Sequence, residues 1–579
     1  MMGWLPVALL AVPLLGALLL LISPALLRPV LRGYGLAFSG VTLALAVVLA
    51  ATFDYAQAAR PQLTVDQPWI PGLGLRFHLG VDGISLPLVV LTALLTFLCF
   101  AYLSWGDARA PGQLLTPATG RPRALVFTLL VLEVGMIGTF LALDLLLFFV
   151  FFEVVLIPMY FLIAIWGGKG RRGASIKFIL YTLLGSVVML LGLLLIWAQT
   201  GTLDIVALSQ AHGAGMSRGV QVLAFAAVGI GLAVKTPMWP LHTWLPDAHT
   251  EAPTVGSVLL AGVLLKMGTY GFARIAIPIL PEGAVVIAPW LGALAVVGIV
   301  YGSLACLAQR DLKRMIAYSS VGHMGFVLLG FATLTTVGIN GALFANVAHG
   351  LITGLLFFLA GAIKERYGTA DMPSLGGGML AILPHLGAVL TFAAIASLGI
   401  PGLAGFWGEM LALLGAFQPA AALPRGLFLV FMAIGGLGAV LTAAYFLVML
   451  SRVTHGRPAR PALSLAATHP APAVAVAGPE ETGSGAAESQ PEELGAGAAE
   501  SQPEEFGAAE PWPEEGRRPA EVIETEPSAP KAEAMRDIRG YELVAWVPLI
   551  VLILLFGLWP KLLLSLTTPA VQTLLGALS

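Results

Sequence analysis

The chain has 579 residues, 58% hydrophobic and 11% charged, with a mean hydropathy of +0.90. A water-soluble fold of this length has no surface on which to place so much apolar side chain, which excludes a soluble enzyme. The net charge of −2 hides a division: fifteen glutamates between Glu480 and Glu533 face only Arg517, Arg518 and Lys531, which leaves 27 bases against 17 acids elsewhere, a body of +10 carrying an insert of −12.

Apolar stretches of about 20 residues, the length that crosses a hydrocarbon core of roughly 30 Å, predict an all-α polytopic membrane protein of fourteen transmembrane helices. They lie near 4–26, 33–52, 82–104, 124–142, 145–166, 176–199, 219–241, 254–278, 285–308, 315–333, 338–363, 384–418, 427–451 and 543–566. At the amino terminus, Arg28 and Arg32 follow the apolar run instead of preceding it. That order is wrong for a cleaved signal peptide and predicts a retained first helix. Loops after odd-numbered helices hold 17 Lys and Arg, and loops after even-numbered helices hold four (Arg60, Arg76, Arg218 and Arg425). Short cytoplasmic loops are enriched in these residues, so both termini are expected on the non-cytoplasmic side.

Five segments are expected: helices 1–3 (1–123), a first five-helix repeat (124–278), a second (279–455), an acidic insert (456–534) and helix 14 (535–579). The insert is rich in Ala, Pro, Glu, Gly and Ser and contains the tandem GAAESQPEELGA and GAAESQPEEFGA. Too few apolar residues offset its chain entropy, so it is expected to be disordered, on the cytoplasmic face between helices 13 and 14. It reads either as an electrostatic tether or, more plainly, as a tolerated loop expansion.

An ionisable group at bilayer depth costs roughly 2.5–3.5 kcal/mol on insertion scales, and normally faces protein or water and has a role. The apolar stretches contain Glu133, Asp144, Glu153, Lys235, Lys266, His323, His349 and Glu409. A single one is as well explained by a buried ion pair holding helices in register. Eight across the central helices favour function, because a static bundle packs with leucine. Asp144, at a helix start, reads as a cap, and Glu133 as packing.

Prolines carry a second signal, since each removes a backbone donor and interrupts the helix ladder. Helix 7 contains VKTPMWPLHTWLP, with Pro237 and Pro240 just after Lys235. Helix 12 contains SLGIPGLAGFWGEM, where Gly399, Pro401, Gly402 and Gly405 are expected to unwind the chain before Glu409. Irregular backbone at membrane depth is tolerated only against protein or a wet cavity. Helix 7 is fourth in the set 4–8 and helix 12 fourth in the set 9–13. The offset of five is odd, so corresponding helices run in opposite directions, the pattern of inverted repeats.

The segment LHTWLPDAHTEAP holds His242, Asp247, His249 and Glu251, but its spacing matches no common zinc pattern, and caps with a proton-entry role fit better. Cys99 and Cys306 cannot furnish a four-thiolate cluster and are poor candidates for a disulfide.

The stretches FFEVVLIPMYFLIAIWGG, VKTPMWPLHTWLPDAHTEAPTVGSVLLAGVLLKMGTYG, RDLKRMIAYSSVGHMG, AHGLITGLLFFLAGAI and GIPGLAGFWGEM resemble signature stretches of the antiporter-like membrane subunits of bacterial respiratory complex I, the proton-pumping NADH:quinone oxidoreductase. The resemblance runs through 1–455 and 535–579; the insert departs from it. It implies two inverted five-helix repeats, each with a broken helix, and a polar axis along the middle of the membrane. Glu153 matches the helix 5 glutamate that pairs with a lysine, Lys235 that lysine, and Lys266 the connecting lysine of helix 8. His323 and His349 match axial histidines, and Glu409 the terminal glutamate of broken helix 12. A glutamate there, without a long amphipathic lateral helix after helix 14, resembles the chain M branch more than the chain L branch.

The resemblance further implies a bacterial inner-membrane location and a lipid environment. It implies no cofactor on this chain, with NADH, FMN, iron–sulfur clusters and quinone on partner subunits, and other membrane subunits of the complex as partners, two related antiporter-like chains among them. Nucleic acid is not an expected partner. A subunit of an Mrp-type cation/proton antiporter, a membrane subunit of an energy-converting hydrogenase and a purely structural spacer are the competing readings.

Overall fold

The computed structural model describes residues 3–22, 28–105, 121–456 and 537–576. The expected insert, 456–534, lies outside the described residues apart from Gly456. Among the described residues all fourteen predicted membrane helices form: α1 (Trp4–Ile22), α2 (Arg28–Thr52), α3 (Ser85–Trp105), α4 (Pro122–Leu141), α5 (Leu145–Val154 and Leu156–Trp166), α6 (Arg171–Thr200), α7 (Arg218–Lys235, then Trp244–Glu251), α8 (Thr254–Ile279), α9 (Pro281–Leu307), α10 (Leu312–Ala332), α11 (Thr336–Tyr367), α12 (Pro384–Ser397, then Ala404–Phe417), α13 (Arg425–Val453) and α14 (Gly540–Leu558). The stretch read as helix 14 ends sooner than expected, at Trp559 and Pro560, and a separate helix α15 (Lys561–Leu575) follows.

Burial sorts these helices into shells. The most apolar stretch of α8 is 100% buried and those of α10 and α11 are 94% buried, against 28% for α2 and α13. Leu180, Leu184 and Leu191 of α6 and Leu437, Val440 and Leu447 of α13 stay exposed, as lipid-facing side chains do. The bundle interior is therefore built by α8, α10 and α11, which carry Lys266, His323 and His349.

Between α2 and α3, where the sequence pattern suggests only loop, the chain forms an antiparallel hairpin of β1 (Gln62–Ile70) and β2 (Leu75–Val81). β2 also pairs with the end of α4 through Leu79 and Ala142.

One backbone motif occurs twice. Asp144 and Asp204 form an isolated antiparallel bridge, and Asp311 and Asp371 form another at the same sequence separation. Leu145 N–H donates to Leu203 O and Ile205 N–H to Leu143 O; in the second copy Leu312 N–H donates to Ala370 O and Met372 N–H to Arg310 O. Asp144 caps α5 and Asp311 caps α10. Asp204 and Asp371 cap short helices that follow α6 and α11, and each stands fourth in a tetrapeptide, GTLD or GTAD, whose glycine ends the preceding helix with φ of +71°. Asp144 is thus a structural cap, as its position implies.

The chain leaves and re-enters the bundle around the insert beside one segment. Gly378 N–H donates to His455 O and Leu380 N–H to Thr454 O, while Asp537 accepts from the N–H groups of His385 and Leu386 at the start of α12. Arg366 of α11 then grips Glu542 of α14 through two hydrogen bonds of 2.8 and 2.7 Å, with both side chains buried. The described chain is therefore anchored on both sides of 457–536.

Candidate functional site

Both broken helices form where the prolines require. Pro237 has no N–H for the Ala233 carbonyl, which Met238 N–H takes instead at 2.9 Å, and the Trp244 indole takes Val234 O at 2.9 Å. Lys235 is the last residue of the first half of α7, and Pro240 lies in the same break. In α12 the break spans 398–403, around Pro401 and Gly402. Gly399 has φ of +77°, and a Cβ there would meet Glu409 Oε2 at 3.2 Å, so glycine serves both the turn and the approach to the carboxylate. Gly405 differs from expectation: it lies inside the second half of α12, where an added Cβ would collide with Ala396 O. It is there for close packing, not for unwinding.

Four of the six axial residues form one buried line. Lys266 Nζ lies 2.6 Å from His349 Nδ1 and also donates to Ala261 O. A lysine N–H donating to Nδ1 assigns the imidazole proton to Nε2, which has no hydrogen-bond partner among the described residues. The rings of His349 and His323 stand 5.7 Å apart. His323 Nδ1 lies 2.9 Å from Glu409 Oε1 and its Nε2 lies 3.0 Å from Ser397 Oγ. Between them, His323, His349, Thr353, Ser397 and Glu409 line a cavity with about 20 Å³ of space for the centre of a water-sized sphere. That is room for one water, the size of group that can bridge polar atoms too far apart for direct contact.

Close helix approach makes the line possible. Gly262 of α8 and Gly350 of α11 face each other so tightly that a Cβ on Gly350 would sit 2.9 Å from Gly262 O, one residue after His349 and one turn before Lys266. α8 also departs from regular geometry, with π-helical turns over Leu260–Leu264 and Phe272–Ala276 on either side of the segment bearing Lys266. Such turns re-aim side chains and recur at functional sites.

Glu153 and Lys235 are neighbours without direct contact: no ion pair within 4.0 Å joins them, and Lys235 Nζ has no hydrogen-bond partner among the described residues. The ammonium instead lies 4.5 Å from the centre of the Phe152 ring. α5 is interrupted just after Glu153, because Pro158 cannot donate to Val154 O. Glu133 is fully buried, with neither carboxyl oxygen bonded among the described residues.

The four residues of LHTWLPDAHTEAP diverge. Asp247 is held by Lys177 at 2.7 Å and Arg314 at 3.1 Å, and Glu251 accepts from Gly170 N–H. His242 packs against Tyr301, and His249 stacks on Phe357 with centroids 4.6 Å apart. They build no common ligand set.

Sequence reasoning missed a buried charge, Arg274 of α8, whose guanidinium meets Asp82 at 2.5 Å and hydrogen-bonds Tyr270. An arginine inside the predicted span 254–278 was the available signal.

An all-helical membrane bundle with a line of ionisable groups between two interrupted helices belongs to the class of polytopic proteins that handle cations or protons within the bilayer. The family described as NADH:quinone oxidoreductase/Mrp antiporter, TM, matches residues 142–442. NADH-quinone oxidoreductase subunit M of Rhodobacter capsulatus is 43% identical over 72% of this chain and 78% of its own length. NADH-ubiquinone oxidoreductase chain 4 of Arabidopsis thaliana is 40% identical over 77% of this chain and 85% of its own. Among solved structures, respiratory complex I from Thermus thermophilus superposes with a TM-score of 0.75 at 26% identity, covering 99% of this chain and 100% of the matched one. The Mrp complex of a Dietzia species shares the fold, with a TM-score of 0.74 at 22% identity over 99% of this chain and 98% of the matched one. The chain belongs to the NADH:quinone oxidoreductase/Mrp antiporter transmembrane family.

Proposed function

We propose that this chain is the M-type proton-translocating membrane subunit of NADH:quinone oxidoreductase, moving protons across the membrane as other subunits pass electrons from NADH to quinone. The buried line Lys266, His349, His323, Glu409 carries the reading, because each neighbour offers a group that gains and loses protons. Relatives at 40–43% identity with subunit M and chain 4 names favour this over the Mrp antiporter, for which the likeness is one of fold.

In this reading Glu153 holds Lys235 charged, and weakening that attraction makes Lys235 release its proton toward Lys266. The two histidines and the intervening cavity pass it to Glu409 and the opposite side. Moving each charge against the membrane potential costs about 2.3 kcal/mol per 100 mV. The energy comes from quinone reduction in neighbouring subunits, which also hold the NADH, FMN, iron–sulfur and quinone sites. Two related antiporter-like chains stand among those partners, and lipid surrounds the outer helices.

The segments are helices 1–3 (1–123), inverted repeats 124–278 and 279–455, the acidic insert 456–534 and 535–579. The duplicated aspartate bridges support the repeats, since they tie α5 to the end of α6 and α10 to the end of α11 in the same way. The excess of basic loops after odd-numbered helices supports a bacterial inner membrane with both termini on its non-cytoplasmic side. In proteoliposomes, Glu153→Gln or Lys235→Ala sharply reduces NADH-driven proton pumping; normal pumping by either assembled variant sinks the pathway.

A further inference from the structure

The proposed transfer needs Lys235 to leave Glu153, and inside a protein an ammonium with no alternative partner is too costly to release that way. The structure holds an alternative. Phe152 is 1% exposed, immediately precedes Glu153, and presents its ring 4.5 Å from Lys235 Nζ, which has no hydrogen-bond acceptor among the described residues. The ring is held in place from behind. Phe148 packs on it with centroids 5.6 Å apart, Tyr270 packs on Phe148 at 6.4 Å, and Tyr270 is fixed by its hydrogen bonds to Phe140 O and from Arg274.

We propose that the Phe152 ring is a second seat for the Lys235 ammonium, so that Lys235 alternates between the Glu153 carboxylate and the Phe152 face, and Phe152 acts directly on the group that gives up the proton. Phe152 and Glu153 are consecutive residues of α5 whose side chains point about 100° apart, so the long, flexible side chain of Lys235 changes seat by rotating about its own bonds. The Pro158 interruption of α5 lies just beyond them and the break of α7 begins at Lys235, so both elements that set the choice of seat end at irregular backbone.

The two seats differ in chemistry. A carboxylate accepts N–H hydrogen bonds and locks the ammonium. A ring face attracts the positive charge through its quadrupole without a strong acceptor for any one N–H. Seated on the ring, Lys235 remains a cation that is free to donate. When its proton passes to the neutral amine of Lys266, Lys235 becomes a neutral amine and Lys266 an ammonium, and the charge advances by one site.

The inference rests on the proposed proton pathway, and its test separates the two. Fluorinated phenylalanines at position 152 weaken the ring quadrupole stepwise at nearly constant shape. Phe152→Leu removes it altogether. The range of cation–π strengths, from exposed to desolvated sites, corresponds to a shift of about twofold to thirtyfold in the ratio of the two seats. NADH-driven pumping in proteoliposomes is expected to fall stepwise from one to three fluorines, with Phe152→Leu lowest and the pH profile of pumping moving across the series. A merely structural ring leaves the fluorinated series flat and its pH profile fixed. A flat series with pumping lost in Lys235→Ala overturns the ring seat alone; normal pumping in Lys235→Ala overturns the pathway beneath it. The fluorinated variants keep the volume of the ring, so a failure of Phe152→Leu to assemble leaves the series decisive.

Discussion

Glu542→Gln is expected to be among the most damaging isosteric substitutions in the chain, for a reason that burial makes quantitative. The Arg366 and Glu542 side chains are 3% and 0% exposed, and the carboxylate meets the guanidinium with two hydrogen bonds. Removing one charge of such a pair leaves the other buried and uncompensated, at a cost of about 3–5 kcal/mol. Arg366 keeps the carbonyls of Ala362 and Asp537 as acceptors, which places the cost near the lower limit, about 3 kcal/mol. The same substitution also removes the charged acceptor of the Arg539 N–H that closes the start of α14.

Because both charges are then gone, Arg366→Met with Glu542→Gln recovers much of that loss. The reference is the hairpin pair Arg76–Asp66, 48% and 33% exposed, where Asp66→Asn costs about 0–1 kcal/mol. The assay is a double-mutant cycle read as thermal shift and yield of intact complex from detergent-solubilised membranes. Equal behaviour of Glu542→Gln and Asp66→Asn refutes the argument from burial.

Three further outcomes are expected. Gly350→Val, whose Cβ meets Gly262 O at 2.9 Å and Leu91 Cδ2 at 2.7 Å, costs about 1–3 kcal/mol by overpacking and separates Lys266 from His349, so pumping per NADH falls in whatever complex assembles. Gly399→Ala strains a backbone at φ of +77° by about 1–2 kcal/mol beside Glu409 and lowers pumping, while Gly426→Ala, with open space around it, leaves both stability and pumping unchanged in the same assays. Burial of Asp204 opposes its ionisation, but hydrogen bonds with His78 and with backbone N–H groups outweigh it and hold the carboxyl below the usual carboxylate range. A lowered folded value gives stability that is present above the unfolded value of about 3.9 and is lost as pH falls through the folded one. Thermal melts therefore show the parent more stable than Asp204→Asn at pH 7, with the gap closing on acidification below about pH 4.

Much of the fold is legible in the sequence because lipid imposes a simple rule of length and polarity on each crossing. All fourteen membrane helices form, and the breaks at Pro237, Pro240 and Pro401 are legible because a missing N–H acts locally. The hairpin is not, because QLTVDQPWIPGLGLRFHLGV alternates too weakly to stand out from a loop, although PGLG marks its turn. Pro158 is hidden inside a strongly apolar run. The π-turns of α8 have no single-residue signature; the first falls where Gly262 is pressed against α11.

For the candidate site, the ionisable residues are legible as exceptions to apolarity. Their partners are not, since Lys266 meets His349 and His323 meets Glu409 only through long-range helix packing. The placement of Lys235 on Phe152 likewise depends on how α5 and α7 pack.

The most direct test of proton transfer along the buried line is the proton-to-electron ratio of the complex in proteoliposomes when Lys266 is replaced by methionine, which keeps the length of the side chain and removes its proton. The account predicts a fall in protons pumped per NADH oxidised, with reduction of an artificial electron acceptor at the NADH site unchanged. An unaltered ratio in a fully assembled Lys266→Met complex contradicts it.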